Sequence, residues 1–215
     1  LSTFVTIVFA LLLNEIKNKF MKRSIQTIVY LPNFLSWVIL ATVVVNIFSY
    51  EGPINAVLEM LGIEPILFMA SNKWFRSVLI VTDVWKGFGY GAIIYLAALS
   101  GIDPGLYEAA AIDGANRFKR VWHITLPGIL PTIMLVTIMN LPNVLNAGFD
   151  QIFNLYNPLV METADIIDTW VYRVGLVERQ YSLGTAVGLL RSIVGIILML
   201  SANKIAQKVT DYRIF

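Results

Sequence analysis

No cysteine occurs anywhere in the 215 residues, which excludes disulfides, thiolate nucleophiles and cysteine-based zinc sites. There is one histidine, His123, too few for a multi-histidine metal centre. Charge is scarce at 14%, against about 25% in soluble domains. It also nearly cancels to +2, which leaves no dense basic face for a nucleic acid. The glycine-rich phosphate loop of an ATP site is absent, as is any Ser/His/Asp or paired-carboxylate spacing. Strand-like alternation is missing too, so the chain lacks the many ten-residue segments of a membrane barrel.

Apolar residues fill the space left. They make up 57% of the chain and give a mean hydropathy of +0.71, more apolar surface than a water-exposed fold can hide. Five apolar segments stand out, at residues 1–13, 25–48, 77–99, 128–147 and 183–202. Segments of about 20 residues rise about 30 Å as helices and match the hydrocarbon core. The expected fold is all-α, a polytopic transmembrane helix bundle of about five spans in one domain over residues 1–215. Segment 1–13 is short for a span and is expected to be the C-terminal part of a longer helix.

Lysine and arginine give an orientation. Lys17, Lys19, Lys22, Arg23, Arg117, Lys119, Arg120, Lys204, Lys208 and Arg213 fall on one side of the segments, ten against only Lys73, Arg76, Arg173 and Arg179 on the other. The positive-inside rule makes the side of ten cytoplasmic, with the C-terminus, and turns residues 49–76 and 148–182 outward.

Between the third and fourth segments lies a polar island, residues 103–127. Asp103 followed by Pro104 is a helix start. Alanines 109–111 favour helix, and Gly114 supplies a break. A second short helix is expected over residues 115–122, and Pro127 stands where the next apolar helix could begin. The residues Glu108-Ala109-Ala110, then Asp113-Gly114-Ala115, then Ile124-Thr125-Leu126-Pro127 closely resemble, in order and spacing, the EAA loop of permease subunits of binding-protein-dependent ABC importers. That resemblance implies a coupling helix docking into a groove on a cytoplasmic ATPase. It assigns ATPase coupling to Glu108, Ala109, Ala110, Asp113, Gly114, Ile124, Leu126 and Pro127. It also implies a second permease subunit, related but not identical, two ATPase subunits and an extracytoplasmic sugar-binding protein. ATP and Mg would be held by the ATPases, so this chain would bind no cofactor, and its setting would be the lipid of a bacterial plasma membrane. Further N-terminal membrane sequence is expected on the same ground.

Two other passages extend the likeness towards sugar importers, and within them the oligosaccharide branch: residues 30–37, YLPNFLSW, and residues 148–154, GFDQIFN, leading to Asn157-Pro158. The chain departs from many sugar permeases at Tyr156-Asn157-Pro158, where they carry a Gly-Gly-Pro turn. The outward loops have their own helices, expected at residues 54–61 and, as a capped amphipathic helix, at 163–173. The family's binding protein would be received on such surfaces.

Charges inside spans are costly, about 2.5–3.5 kcal/mol at the centre on insertion scales. Asp83 and Lys86, three apart on a helix, can face each other. They either pair to set helix depth or line a polar path with Trp85 and Tyr90, where Gly87, Gly89, Gly91 and Tyr95 stand close by. Arg191 is expected in a helix–helix contact before a substrate contact. Asn140, Asn143 and Asn146 recur at three-residue spacing around Pro142, and should face protein or water. They bind substrate or glue helices. Other readings are a permease for a non-sugar solute, an intramembrane enzyme or a channel-like protein. The enzyme lacks a catalytic cluster, and a channel gives no reason for the island.

Overall fold

The computed structural model describes residues 1–210, with the backbone alone described at Pro142, Val144, Ala202 and residues 205–210. Arg213 and the side chain of Lys208, both in the charge count above, lie outside the described residues. All regular structure among the described residues is helical. In order come α1 (Ser2–Asn14), α2 (Lys19–Phe34), α3 (Trp37–Ile47), α4 (Pro53–Met60), α5 (Asn72–Ser100), α6 (Pro104–Ile112), α7 (Arg117–Arg120), α8 (Leu126–Asn140), α9 (Phe149–Leu155), α10 (Met161–Ala164), α11 (Ile167–Val171) and α12 (Tyr181–Thr210). Among the described residues, three stretches are long and apolar enough to cross a membrane: Asn72–Ser100, Arg117–Asn140 and Tyr181–Ser201.

The second expected segment is not one straight span. Residues 25–48 fall on α2 and α3, which meet at a 107° bend. Pro32 lies within the last turn of α2, and the Ser36 hydroxyl accepts from Ile39 N–H at 3.4 Å to start α3 afresh. Counting this bent pair as one span gives four, with α1 as a shorter apolar helix of 13 residues. The expected fourth segment also differs. It is helical from Arg117 through a π-helical turn, Val121–Thr125, to Asn140, and only then tightens into a 3₁₀ turn at Leu141–Leu145. Pro127 sits in the first turn of α8 but does not begin the helical path.

The chain forms two compact units. The first comprises Leu1–Val29, Phe88–Pro142 and residues 196–210. Its core is Ala10, Ala92, Tyr95, Leu99 and Ile129, with Phe9 edge-on to Phe88 at 5.0 Å. A Cβ on Gly89 would stand 2.5 Å from the carbonyl oxygen of Val29, so glycine is what lets α5 and α2 touch.

The second unit comprises Tyr30–Gly87 and Asn143–Gly195. Its core is Ala41, Val44, Phe68, Phe75, Val78, Leu155, Val160 and Ala164, and α3 packs on α9 within it. Buried Asn55 of α4 pins the loop between α3 and α5. Its amide donates to Ser49 O at 3.0 Å and Ile66 O at 2.9 Å, and its oxygen accepts from Ile66 N–H at 2.8 Å. The helix expected over 163–173 is interrupted: α10 ends at Ala164, and α11 starts at Ile167.

Candidate functional site

The island is assembled by local signals. The Asp103 carboxylate accepts from Gly105 N–H at 2.8 Å, and Pro104 occupies the first turn of α6. Gly114 has φ +73°, which bends the chain after α6. Asn116 caps α7 by accepting from Lys119 N–H at 2.9 Å. No side chain of α6 is buried. Glu108, Ala109 and Asp113 are exposed and Ala110 half-buried. Apolar groups stand out beside them, with Ile112 88%, Phe118 87% and Trp122 70% exposed. This short apolar ridge next to acidic groups is left unburied by its own chain. Ile124 and Leu126 are half-buried, and with Pro127 they belong to the helical run leading into the span, not to the exposed ridge.

The in-span candidates separate. Lys86 Nζ donates to the carbonyls of Pro32 at 3.3 Å, Asn33 at 3.2 Å and Leu35, and lies 5.5 Å from the Trp37 ring. It therefore caps the C-terminal end of α2 at the bend, where the last carbonyls have no helical partner and a cation is favoured. Asp83, exposed on α5, lines a cavity of about 270 Å³ with Arg76, Gln151 and Thr163. Gln151, only 3% exposed, donates to Leu79 O at 2.8 Å and Thr82 Oγ1 at 2.9 Å. Trp85 and Tyr90 are exposed. Tyr95 is not path-lining: it is 2% exposed in the first unit's core. Gly89 admits a neighbouring helix, as described above, and not a ligand.

Asn140 ends α8, and Asn143 and Asn146 follow in and after the 3₁₀ turn; all three are exposed. Asn146 is partly spent locally, accepting from Gly148 N–H at 3.2 Å. Arg191 pairs with Asp168 of α11, the helix–helix contact expected of it. Asn157, where the chain departs from Gly-Gly-Pro, donates to Met69 O at 2.8 Å and ties the loop after α9 to the loop before α5.

Asp165, in the break before α11, accepts from Thr169 Oγ1 at 2.7 Å and from Arg173 Nη2 at 2.7 Å. The Arg173 hydrogen bond holds its carboxyl below the usual carboxylate range, against the opposing effect of burial and with help from Thr169. A lowered folded-state value stabilises above the unfolded pKa, about 3.9, and that contribution is lost as pH falls through the folded value. Wild type is therefore expected to melt above Asp165→Asn at neutral pH, with the gap closing below about pH 4. Melting both in detergent from pH 7 to pH 3 (about the range that brackets a carboxylate) checks this; a gap undiminished at the acid end would mean that the ion pair is not its source.

Comparison with known proteins agrees with this geometry. The family described as "Binding-protein-dependent transport system inner membrane component" matches residues 2–211. Protein LplB of Bacillus subtilis is 44% identical over 97% of this chain and 66% of its own length. The polygalacturonan/rhamnogalacturonan transport system permease protein YteP of the same organism is 41% identical over 98% of this chain, again 66% of its own. A solved bacterial alginate ABC transporter, in complex with an alginate pentasaccharide-bound periplasmic protein, has a chain 39% identical with a TM-score of 0.93, covering 99% of this chain and 74% of that one. The chain belongs to the family of binding-protein-dependent transport system inner membrane components. It is thus a multi-pass membrane subunit of a transport family, not of an enzyme family, and it spans 66% of the length of the two Bacillus relatives.

Proposed function

We propose that the protein is the permease subunit of an ATP-driven ABC importer and translocates a sugar or oligosaccharide delivered by an extracytoplasmic binding protein. The observation that carries this reading is the solvent-facing α6–Gly114–α7 island, with its E-A-A pattern and apolar ridge left unburied by its own chain. Family membership supports the transport role, and relatives named for polygalacturonan and alginate support an oligosaccharide substrate. The island rides on the ATPase. Closure of two ATPase subunits around ATP would move Arg117–Asn140, which is continuous with α7, and so switch the path between outward and inward access. A second permease, related but not identical, would cover exposed apolar faces such as that of Tyr181–Ser201, little of which is buried by its own chain.

Orientation follows from the basic residues, with the island and C-terminus cytoplasmic. Single cysteines replacing Lys19 or Lys119 are expected to react only from the cytoplasmic side, and ones replacing Glu59 or Glu162 only from outside. Labelling of position 119 from outside in sealed cells would overturn both the sidedness and the coupling role.

Asp83, Trp85, Asn143 and Asn146 are the proposed substrate-path residues of the second unit and Tyr90 and Asn140 those of the first, while Lys86 acts through the bend. Trp85→Ala and Asn143→Leu are expected to lower uptake of labelled oligosaccharide several-fold, with ATPase subunits still co-purifying. Normal uptake by both would assign these residues to helix packing.

A further inference from the structure

A cavity of about 160 Å³ in the first unit is lined by Glu15, Lys17, Tyr107, Arg117, Arg120 and Thr125. It has room for about five waters at liquid density, which suits a tetrahedral oxyanion and excludes a nucleotide or a disaccharide. Three of its walls are cations against one carboxylate. That carboxylate, Glu15, is engaged loosely with Arg117 at 3.8 Å and is itself exposed. The Nε–H of Arg120 is buried and has no acceptor among the described residues. A buried guanidinium donor left unpaired is costly, so this position calls for an acceptor, and the surplus positive charge calls for an anionic one. The Tyr107 and Thr125 hydroxyls, 3.0 Å apart, bond to each other, and Thr125 donates on to Arg120 O at 3.3 Å, so they fix this wall while the cations supply its free donors.

The location narrows the anion. Glu15 follows the end of apolar α1, and Arg117 and Arg120 open the helical run Arg117–Asn140. Exposed Trp122 follows Arg120 by two residues in the same helical run, and aromatic side chains are enriched at a membrane–water boundary. Phosphate groups lie at that depth, and an arginine fork matches their oxygens bidentately. We propose that this cavity is a binding site for a phosphate group, carried by an anionic phospholipid headgroup or present as free phosphate. The site is lined by the same α6 and α7 that the transport reading assigns to coupling, and it rests on that reading for the assembled transporter used in its test.

The test uses the full-length subunit in its assembled transporter. One arm reconstitutes it in phosphatidylcholine with phosphatidylglycerol and counts retained phosphatidylglycerol by native mass spectrometry. The other measures equilibrium binding of radiolabelled inorganic phosphate in phosphatidylcholine alone. Arg117→Gln with Arg120→Gln is expected to weaken binding about tenfold or more in one arm, while Lys119→Gln, exposed and outside the cavity, binds as wild type. Loss in the lipid arm identifies the headgroup; loss in the phosphate arm identifies the free ion. Should the double variant not assemble, Arg120→Lys, which keeps the charge but not the fork, is expected to give a smaller loss in the same arm. Equal binding by wild type and assembled variants in both arms overturns the site. So does binding seen in the isolated subunit but not in the transporter, which would mean that a carboxylate of the docked ATPase fills the cavity.

Discussion

Replacing Gly114 by leucine and Glu108 by lysine in the full-length subunit is expected to release the ATPase subunits, or to uncouple hydrolysis from uptake, while the protein stays inserted at normal abundance. Gly114 has φ +73°, and a Cβ there would meet nothing within 4 Å, so the effect of a side chain is conformational and not a clash. An L-residue held in that region costs about 1–2 kcal/mol, roughly tenfold in the population of the native bend. The chain escapes the strain by redirecting α7 relative to α6. Because no side chain of α6 is buried, no core packing resists that escape. Glu108 adds an independent term: it is exposed, and reversing its charge would oppose a basic partner at several kcal/mol. Pull-down of the ATPase from detergent extracts, read beside oligosaccharide uptake, checks both. Full retention of both in the double variant would reduce the island to a connector.

The island was legible because each of its signals is local. The Asp103 cap, Pro104 in the first turn and the Gly114 bend act within a few residues, and the structure has all three. Pro127 does stand in the first turn of α8, but the separation expected between that helix and α7 is absent. A proline is tolerated in the first turn, but residues 121–125 continue the helix through π hydrogen bonding that leaves no mark in hydropathy. The break at residues 35–36 was hidden in a uniformly apolar run, and its stabilising donor, Lys86, lies some fifty residues away in the chain. Asp165 looked like part of a helix because its partners Thr169 and Arg173 share helical spacing. In fact it uses them from the loop before α11. Gly89 and Tyr95 read as path-lining from their neighbours in sequence, yet only the fold decides that one admits Val29 and the other is buried.

Lys86→Met is expected to loosen the bend between α2 and α3. The ammonium supplies donors to three carbonyls at the end of α2, and methionine keeps the stem while removing all of them. These carbonyls are only partly buried, so each loss is worth about 1 kcal/mol, and the set about 2–4 kcal/mol with the lost attraction to the Trp37 ring. That corresponds to a fall in Tm of about 5–15 °C for a chain of this size. Lys86→Arg retains charge and donors and should recover most of it. Since these 215 residues contain no cysteine, spin labels can be placed on each arm of the bend at Leu31 and Val43. A straight helix would separate those positions by about 18 Å along its axis, and the variant's distance distribution should broaden towards that value. A wild-type Tm and distance in Lys86→Met would show that the carbonyls do not need this donor. If that variant also lost uptake, Lys86 would belong to the substrate path beside Asp83 and not to the scaffold that holds α2 and α3 at 107°.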